Sequence, residues 1–295
     1  MTAPPIKVGF LVSYDWYLLY NALPQVYDQA DCIYLALDKK RLTWSGNHFN
    51  FDEVGFQQML NKLDTKNKIK VYEDDFYQHH LTPMQCEVRE RNLLAKALGE
   101  GGWHIQLDAD EYFLNFDAFV SYIRQLSSQQ KPFNVCVSLI NLFKKVEKGY
   151  LHVALSDKQQ ELVQVATTLP HYDYGRKNGY FNHISPFFML HDTWARSPEE
   201  VWQKISNWGH KADFDTEHYF NFWKGINQYN YQSVENFHPI RPSTWQKLAL
   251  LEGDTIDEVI ERIPSLTYPL SKFQLYLKNN RNLARLKSLW FKLFQ

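Results

Sequence analysis

The 295-residue chain lacks most of the features that assign a protein quickly to a class. It has only three cysteines, Cys32, Cys86 and Cys136, which are far apart, odd in number and form no CxxC pair. That pattern argues against a disulfide framework and a cysteine zinc site, and it suits a reducing compartment. An excess of one charge is also missing: Lys and Arg number 32 and Asp and Glu 33, for a formal net charge of −1. A chain so balanced carries no overall nucleic-acid footprint, and no nucleic-acid partner is expected. No run reaches the ~18 consecutive apolar residues of a membrane-spanning helix. The first residues have neither a charged segment nor a long apolar stretch, so no signal peptide is expected and a cytoplasmic location is. Internal repeats and low-complexity linkers are absent as well.

Apolar side chains are plentiful. They make up 44% of the residues, enough to bury a full core, and 16% are aromatic. Most rings fill cores, but a flat ring also stacks on the apolar face of a sugar.

The first part of the chain alternates short apolar runs with helical stretches. Lys7-Val8-Gly9-Phe10-Leu11-Val12, Cys32-Ile33-Tyr34-Leu35-Ala36-Leu37, Lys68-Ile69-Lys70-Val71-Tyr72 and Trp103-His104-Ile105-Gln106-Leu107 read as four strands. Residues 16–27, 56–63 and 84–98 read as helices between them, with Pro24 kinking or ending the first. This order predicts an α/β fold with a mostly parallel, doubly wound sheet flanked by helices. Ligands of such sheets bind beyond the carboxyl ends of the strands. Asp15, Asp38, Asp108 and Asp110 all follow strand ends, so one crevice can gather them. Further on, 116–126 reads as a helix, 133–140 as a strand, and 149–186 as hairpins and loops. Ser197 and Pro198 then read as the N-cap and first residue of a helix over 198–208. Residues 244–251 and 256–263 read as helical. The expected division is one domain over 1–240 and a C-terminal helical extension over 241–295.

The chemistry concentrates in Gln106-Leu107-Asp108-Ala109-Asp110-Glu111-Tyr112-Phe113. On extended backbone Asp108 and Asp110 point the same way, with Ala109 opposite. Two like charges on one face repel unless a cation or water lies between them. Hard divalent ions such as Mn²⁺ or Mg²⁺ take carboxylate and phosphate oxygens, so the pair suits an ion that bridges protein and diphosphate. A solvated acidic turn is the bland alternative. A phosphatase of the haloacid-dehalogenase type also uses Asp-x-Asp after a strand. It expects the motif near the start of the domain, with Thr or Val two residues on, where this chain has Tyr112.

Arg89-Glu90-Arg91-Asn92, a short helix, and then Trp103 to Glu111 together resemble the core of GT-A fold glycosyltransferases, in particular family 2-like and family 92-like members. The resemblance covers roughly residues 7–115, with a second patch at 184–210. It implies a GT-A fold and transfer of a sugar from a UDP- or GDP-sugar to a glycan or glycolipid, in bacterial surface polysaccharide assembly. It implies that Asp110 holds the metal directly, that Asp108 meets the sugar nucleotide or the metal through water, and that Arg91 lies near the donor. In the second patch His191 becomes a candidate third metal ligand, with a core histidine as the alternative. Arg196 and Lys204 are candidates to neutralise the diphosphate or simply part of a charged helix face. Asp15 and Asp38 are candidate nucleoside contacts or helix caps. A base for the acceptor hydroxyl is not singled out: Asp192, Asp213 and Asp215 are the candidates. A non-catalytic carbohydrate-binding protein on the same scaffold is the rival reading.

Residues 272–295 hold six Lys/Arg and no acid, and Leu283, Leu286, Trp290 and Leu293 recur at helical spacing. A basic amphipathic segment of this kind either lies on an anionic membrane, here the inner face of the cytoplasmic membrane, or packs on its own domain.

Overall fold

The computed structural model describes residues 3–126, 131–155, 161–263 and 268–284. In chain order its first elements are β1 (Ile6–Val12), α1 (Leu19–Val26), β2 (Cys32–Asp38), α2 (Glu53–Leu63), β3 (Ile69–Asp74), α3 (Pro83–Leu98) and β4 (Trp103–Asp108). The four strands are parallel, with β1 between β2 and β4 and β3 outside β2. Successive side chains of a strand face opposite sides. Val8 and Phe10 therefore join the core beneath α1 and α2, while Leu11 joins Leu94 and Leu98 of α3 on the other side. This is the doubly wound arrangement expected from the pattern. Pro24 does not end α1, which runs on to Val26.

The second half extends the same sheet. It contributes β5 (Glu111–Phe113), α4 (Phe116–Leu126), β6 (Phe133–Val146), β7 (Gly149–Val153), β8 (Leu162–Thr167), β9 (Phe181–His191), α5 (Pro198–Asn207), α6 (Thr216–Gly225), β10 (Leu248–Glu252), α7 (Ile256–Arg262) and α8 (Lys272–Asn279). β8 runs antiparallel between β4 and β6, and β9 pairs parallel with β6 and antiparallel with β5. Through these pairings the end of β9, at His191, meets Glu111 at the start of β5 and Asn141 within β6.

One expected helix is a strand. Leu248-Ala249-Leu250-Leu251 is made of good helix formers, yet it pairs antiparallel with β7. Its side chains alternate: Leu248 and Leu250 enter one core and Leu251 packs on the other. Burial on both faces of the sheet outweighs local propensity. Residues 248–252 thus belong to the main sheet, and a helical extension does not begin at 241.

The aromatic richness has a location. Phe143, Trp194, Tyr219, Trp223, Phe237 and Trp245 form a second core where α5 and α6 pack beside β6, β7 and β10. Two of their polar atoms are satisfied within it: Trp223 Nε1 donates to the Phe143 carbonyl at 2.8 Å, and the Tyr219 hydroxyl donates to the Phe237 carbonyl at 2.7 Å.

α3 lies close on β1 because residue 9 is glycine. A Cβ there would lie 2.7 Å from Leu94 Cδ2 and 3.2 Å from Leu98 Cδ1. That contact sets the height of α3 over the sheet, and hence of Arg91, which α3 carries. Gly9→Ala is expected to lower stability by about 1–3 kcal/mol through overpacking. Urea unfolding measures it, and an unchanged midpoint would contradict the close approach.

Candidate functional site

The turn that carries the acidic motif is built on a buried ion pair. Glu111 is 1% exposed, and its carboxylate takes both forks of Arg176, Nη2 at 2.5 Å and Nη1 at 2.7 Å. It also accepts the Asp108 backbone N–H at 2.9 Å. A buried carboxylate needs such pairing to remain charged. Glu111 is therefore the bracket that fixes the turn, and Arg176 is a partner that no local motif announces.

Asp108 is held from below. Its Oδ1 accepts Arg91 Nη2 at 2.8 Å, and Arg91 Nε donates to Glu87 at 2.9 Å. Burial would raise the Asp108 carboxyl, but the charges of Arg91 and Arg176 bring it below its ordinary value. Arg91 is 2% exposed. It supports Asp108 from the core and does not reach the cavity, which corrects its expected role as a donor contact. Asn92 beside it latches the loop before β9: its amide donates to the Tyr172 carbonyl and accepts the Tyr172 N–H, at 2.8 and 3.0 Å.

Asp110 is the most heavily engaged group. Its Oδ2 accepts Arg196 Nη2 at 2.5 Å and the Lys204 ammonium, and His191 Nε2 lies 3.5 Å away. Burial opposes ionisation, but Lys204, His191 and Arg196 hold the carboxyl well below its ordinary value. Arg196 also binds Asp15 Oδ2 at 2.8 Å, so it clamps the end of β1 to the motif and is itself 3% exposed. Ser197 caps α5 through Glu200 in a capping box with Pro198 in the first turn. The expected start of α5 is thus observed, and it aims Lys204, two turns on, back at Asp110.

The protonation of His191 follows from its neighbours. Asn141 Nδ2 donates to Glu161 Oε2 at 2.7 Å, and a carboxylate bonded by an amide N–H turns the amide oxygen the other way. That oxygen accepts from Thr193 Oγ1 at 3.2 Å and faces His191 Nδ1 at 2.9 Å. Nδ1 then carries a proton, and Nε2 is the nitrogen directed at Asp110: protonated it supports the carboxylate, and deprotonated it offers a lone pair to a metal ion. Ligating histidines are commonly oriented in this way by a partner on the other nitrogen. Asp110 and His191 are the side chains that would hold a divalent ion, with Asp108 beside them on Arg91. Among the described residues no three His, Cys, Asp or Glu side chains are already gathered as a ligand set.

These groups line a cavity of about 220 Å³. Asp15, Asp108, Asp110 and Lys204 make a charged wall. Thr43, Trp44 and Glu90 make a second wall, and Asn141, Glu161, Trp194, Trp208, His238 and Trp245 a third. Asp38 also borders the cavity, but its carboxylate accepts four backbone N–H groups, from Lys40, Leu42, Phe76 and Tyr77. It organises the loops after β2 and β3 and is not free to read a nucleoside. The three candidate bases do not line the cavity. Asp192 is buried, with burial raising its carboxyl, Asp213 pairs with His210 at 2.6 Å, and Asp215 caps α6. Glu161, Glu90, Asn141 and Trp44 are among the cavity residues that the motifs did not reveal. Glu90 stood inside a quoted motif without a role, and the others carry no local signal.

No protein-family model matches the chain, and no curated protein does. Among solved structures the fold is similar to GalNAc-T7 crystallised with UDP, GalNAc and Mn²⁺, at TM-score 0.40 and 13% identity over 74% of this chain. The chain spans 50% of that protein's length. It is also similar to residues 1–349 of S. aureus TarS with UDP-GlcNAc, at TM-score 0.39 and 11% identity, covering 72% of this chain and 69% of that one. A third likeness is to 4-diphosphocytidyl-2C-methyl-D-erythritol synthase, at TM-score 0.33 and 12% identity, over 55% of this chain and 73% of that one. These are likenesses of overall course, and they carry no substrate or residue role to this chain.

Glu90 gives the cavity a measurable signature. Its Oε2 accepts Trp44 Nε1 at 2.6 Å, and burial raises its carboxyl from 4.5 to about 8. The folded state holds this proton where the unfolded chain has lost it. The stability it contributes is complete below pH 4.5 and is lost as pH rises toward 8. Glu90→Gln keeps the acceptor for Trp44 without the titration. In urea unfolding between those limits the variant is expected to gain on the wild type by at most about 1.4 kcal/mol per pH unit. Parallel stability profiles for the two proteins would contradict a protonated Glu90.

Proposed function

We propose that the protein is a glycosyltransferase that moves a sugar from a UDP- or GDP-sugar to a glycan or glycolipid, in bacterial surface polysaccharide assembly. The observation that carries this reading is the charged wall: a strand-end Asp pair, a tautomer-fixed His191 and the Lys204 ammonium facing one cavity. Such a wall suits a diphosphate, because Lys204 supplies a cation and buried carboxylates position it. Asp110 and His191 would hold a divalent ion, Mn²⁺ or Mg²⁺, with Asp108 toward the donor. When bound, the ion would take up charge that grows on the departing diphosphate. Arg196 and Arg91 act from behind, keeping Asp110 and Asp108 ionised. A carbohydrate-binding protein without catalysis would use the same cavity, and turnover separates the two.

The expected outcome is stabilisation by UDP or GDP with Mn²⁺ in a thermal-shift assay, together with slow hydrolysis of at least one nucleotide sugar. Asp110→Asn, which removes the charge at the centre of the network, is expected to reduce that hydrolysis about 100-fold. Equal turnover by wild type and Asp110→Asn would refute the assignment. Binding without turnover would favour the carbohydrate-binding alternative.

The acceptor reading extends to a surface. On α8, Phe273, Tyr276 and Leu277 are exposed at i, i+3, i+4 spacing beside Lys272 and Lys278. The helix is tied to the sheet through Asn279, whose side chain bonds both the N–H and the carbonyl of Ile184 at 2.8 Å. Residues 285–295, with Leu286, Trp290 and Leu293, lie outside the described residues. No helix among the described residues is long and apolar enough to cross a membrane. An exposed aromatic stripe flanked by lysines suits the surface of an anionic bilayer, at the inner face of the cytoplasmic membrane. Deletion of residues 272–295 is expected to abolish sedimentation with phosphatidylglycerol vesicles. Undiminished sedimentation would remove the surface from the proposal.

A further inference from the structure

We propose that Glu161 is the base that takes the proton of the incoming acceptor hydroxyl, in an acceptor subsite walled by Trp194, Trp208 and Trp245. The inference rests on the glycosyltransfer reading above and supplies its missing group.

The carboxylates that line the cavity differ in what holds them. Asp15 is bonded by Arg196, Asp108 and Glu87 by Arg91, and Asp110 by Arg196 and Lys204. A carboxylate paired with a fixed cation is a poor proton acceptor, because the cation favours its ionised form. Asp38 is spent on four backbone N–H groups, and Glu90, buried on the Trp44 indole with its carboxyl raised to about 8, already carries its proton at neutral pH. Glu161 differs in kind. Both of its hydrogen-bond donors are neutral, Asn141 Nδ2 at 2.7 Å and Trp245 Nε1 at 2.9 Å, and both reach the same oxygen, Oε2. Oε1 accepts no hydrogen bond from the described residues. The carboxylate is thus oriented by one oxygen, with no fixed cation on the other.

Its surroundings suit a sugar. Trp194 and Trp245 have ring centroids 5.3 Å apart, and Trp208 lies 6.4 Å from Trp194. Trp194 and Trp245 are edges of the buried aromatic core, and half-buried Trp208 is the ring with a face open to stack on the apolar side of a pyranose. His238 packs on Trp245 at 4.7 Å, and its Nδ1 accepts the N–H groups of Ile240 and Arg241. Its proton is therefore on Nε2, which makes the ring a hydrogen-bond donor for a hydroxyl. Asn141 joins the two halves of the site. It bonds Glu161 through Nδ2 and His191 through Oδ1, so the base and the charged wall are held in one register by a single side chain on β6.

The step balances without another reactant. The acceptor oxygen forms a bond to the anomeric carbon as its proton passes to Glu161. The bond from that carbon to the diphosphate breaks, and its electron pair leaves with the nucleoside diphosphate. A single displacement of this kind inverts the anomeric configuration.

The test uses azide, a nucleophile with no proton to lose. The full-length wild type, Glu161→Ala and Glu161→Gln are incubated with UDP-glucose, UDP-N-acetylglucosamine and GDP-mannose, with and without sodium azide. UDP and GDP affinity is measured on each protein. Glu161→Gln retains an acceptor for Trp245 and Asn141, and so guards against a folding defect in the alanine variant. Both variants are expected to keep nucleotide affinity within about 2-fold and to lose about 100-fold in turnover with water. Azide restores turnover in Glu161→Ala and gives the glycosyl azide of inverted configuration. Turnover with water close to that of the wild type overturns the proposal. So does the absence of glycosyl azide from a variant that binds the nucleotide. Failure of the wild type to bind any nucleotide fails the glycosyltransfer reading itself, and the role of Glu161 with it.

Discussion

The site depends on one buried carboxylate, that of Asp110, and on the cations that keep it ionised. Arg196 and Lys204 lie 86 and 94 residues away in sequence, and both end on the same oxygen. A carboxylate this deeply buried is unfavourable alone and tolerable only with close, well-directed partners. The bond therefore requires the end of β4, the end of β9 and the first turns of α5 to meet. Because Arg196 also binds Asp15, the end of β1 is drawn into the same network. Removing one member leaves a buried charge uncompensated, so the network sets the shape of the cavity as much as its charge.

Beside this charged wall the cavity has another of different character. Trp194 and Trp245 belong to the second, aromatic core and also line the cavity. Hydrogen bonds on that side come from neutral groups, Asn141, Trp245 and backbone amides, in contrast to the guanidinium forks beneath Asp108 and Asp110. One wall holds negative charge ionised, and the other orients a carboxylate without pairing it to a cation. A reaction that separates a diphosphate from a sugar while deprotonating an alcohol needs both environments within one small space. Asn141, with its amide split between Glu161 and His191, connects them.

Much of this was legible in the chain. Alternation of apolar runs and helices specified the parallel half of the sheet, because each run is short and ends on a polar turn residue. Asp108 and Asp110 stood out for the same reason, as charges placed directly after a buried strand. Ser197-Pro198 announced the start of α5 through capping chemistry that is wholly local. The failures are of another kind. Leu248–Glu252 looks helical by propensity and is a strand because two cores claim its alternate faces. Asp38 looks like a ligand and is a loop anchor because four backbone N–H groups converge on it.

The sequence by itself determined the doubly wound half of the fold, the acidic motif and its placement at a strand end, since each depends on residues within a few positions of one another. Tertiary structure alone decided which charges meet. Arg91 and Arg176 lie under the motif, Arg196 and Lys204 lie on it, and Glu161 forms no ion pair with the described residues. Those distinctions turn on distance and burial between side chains 17 to 94 residues apart, and nothing local encodes them.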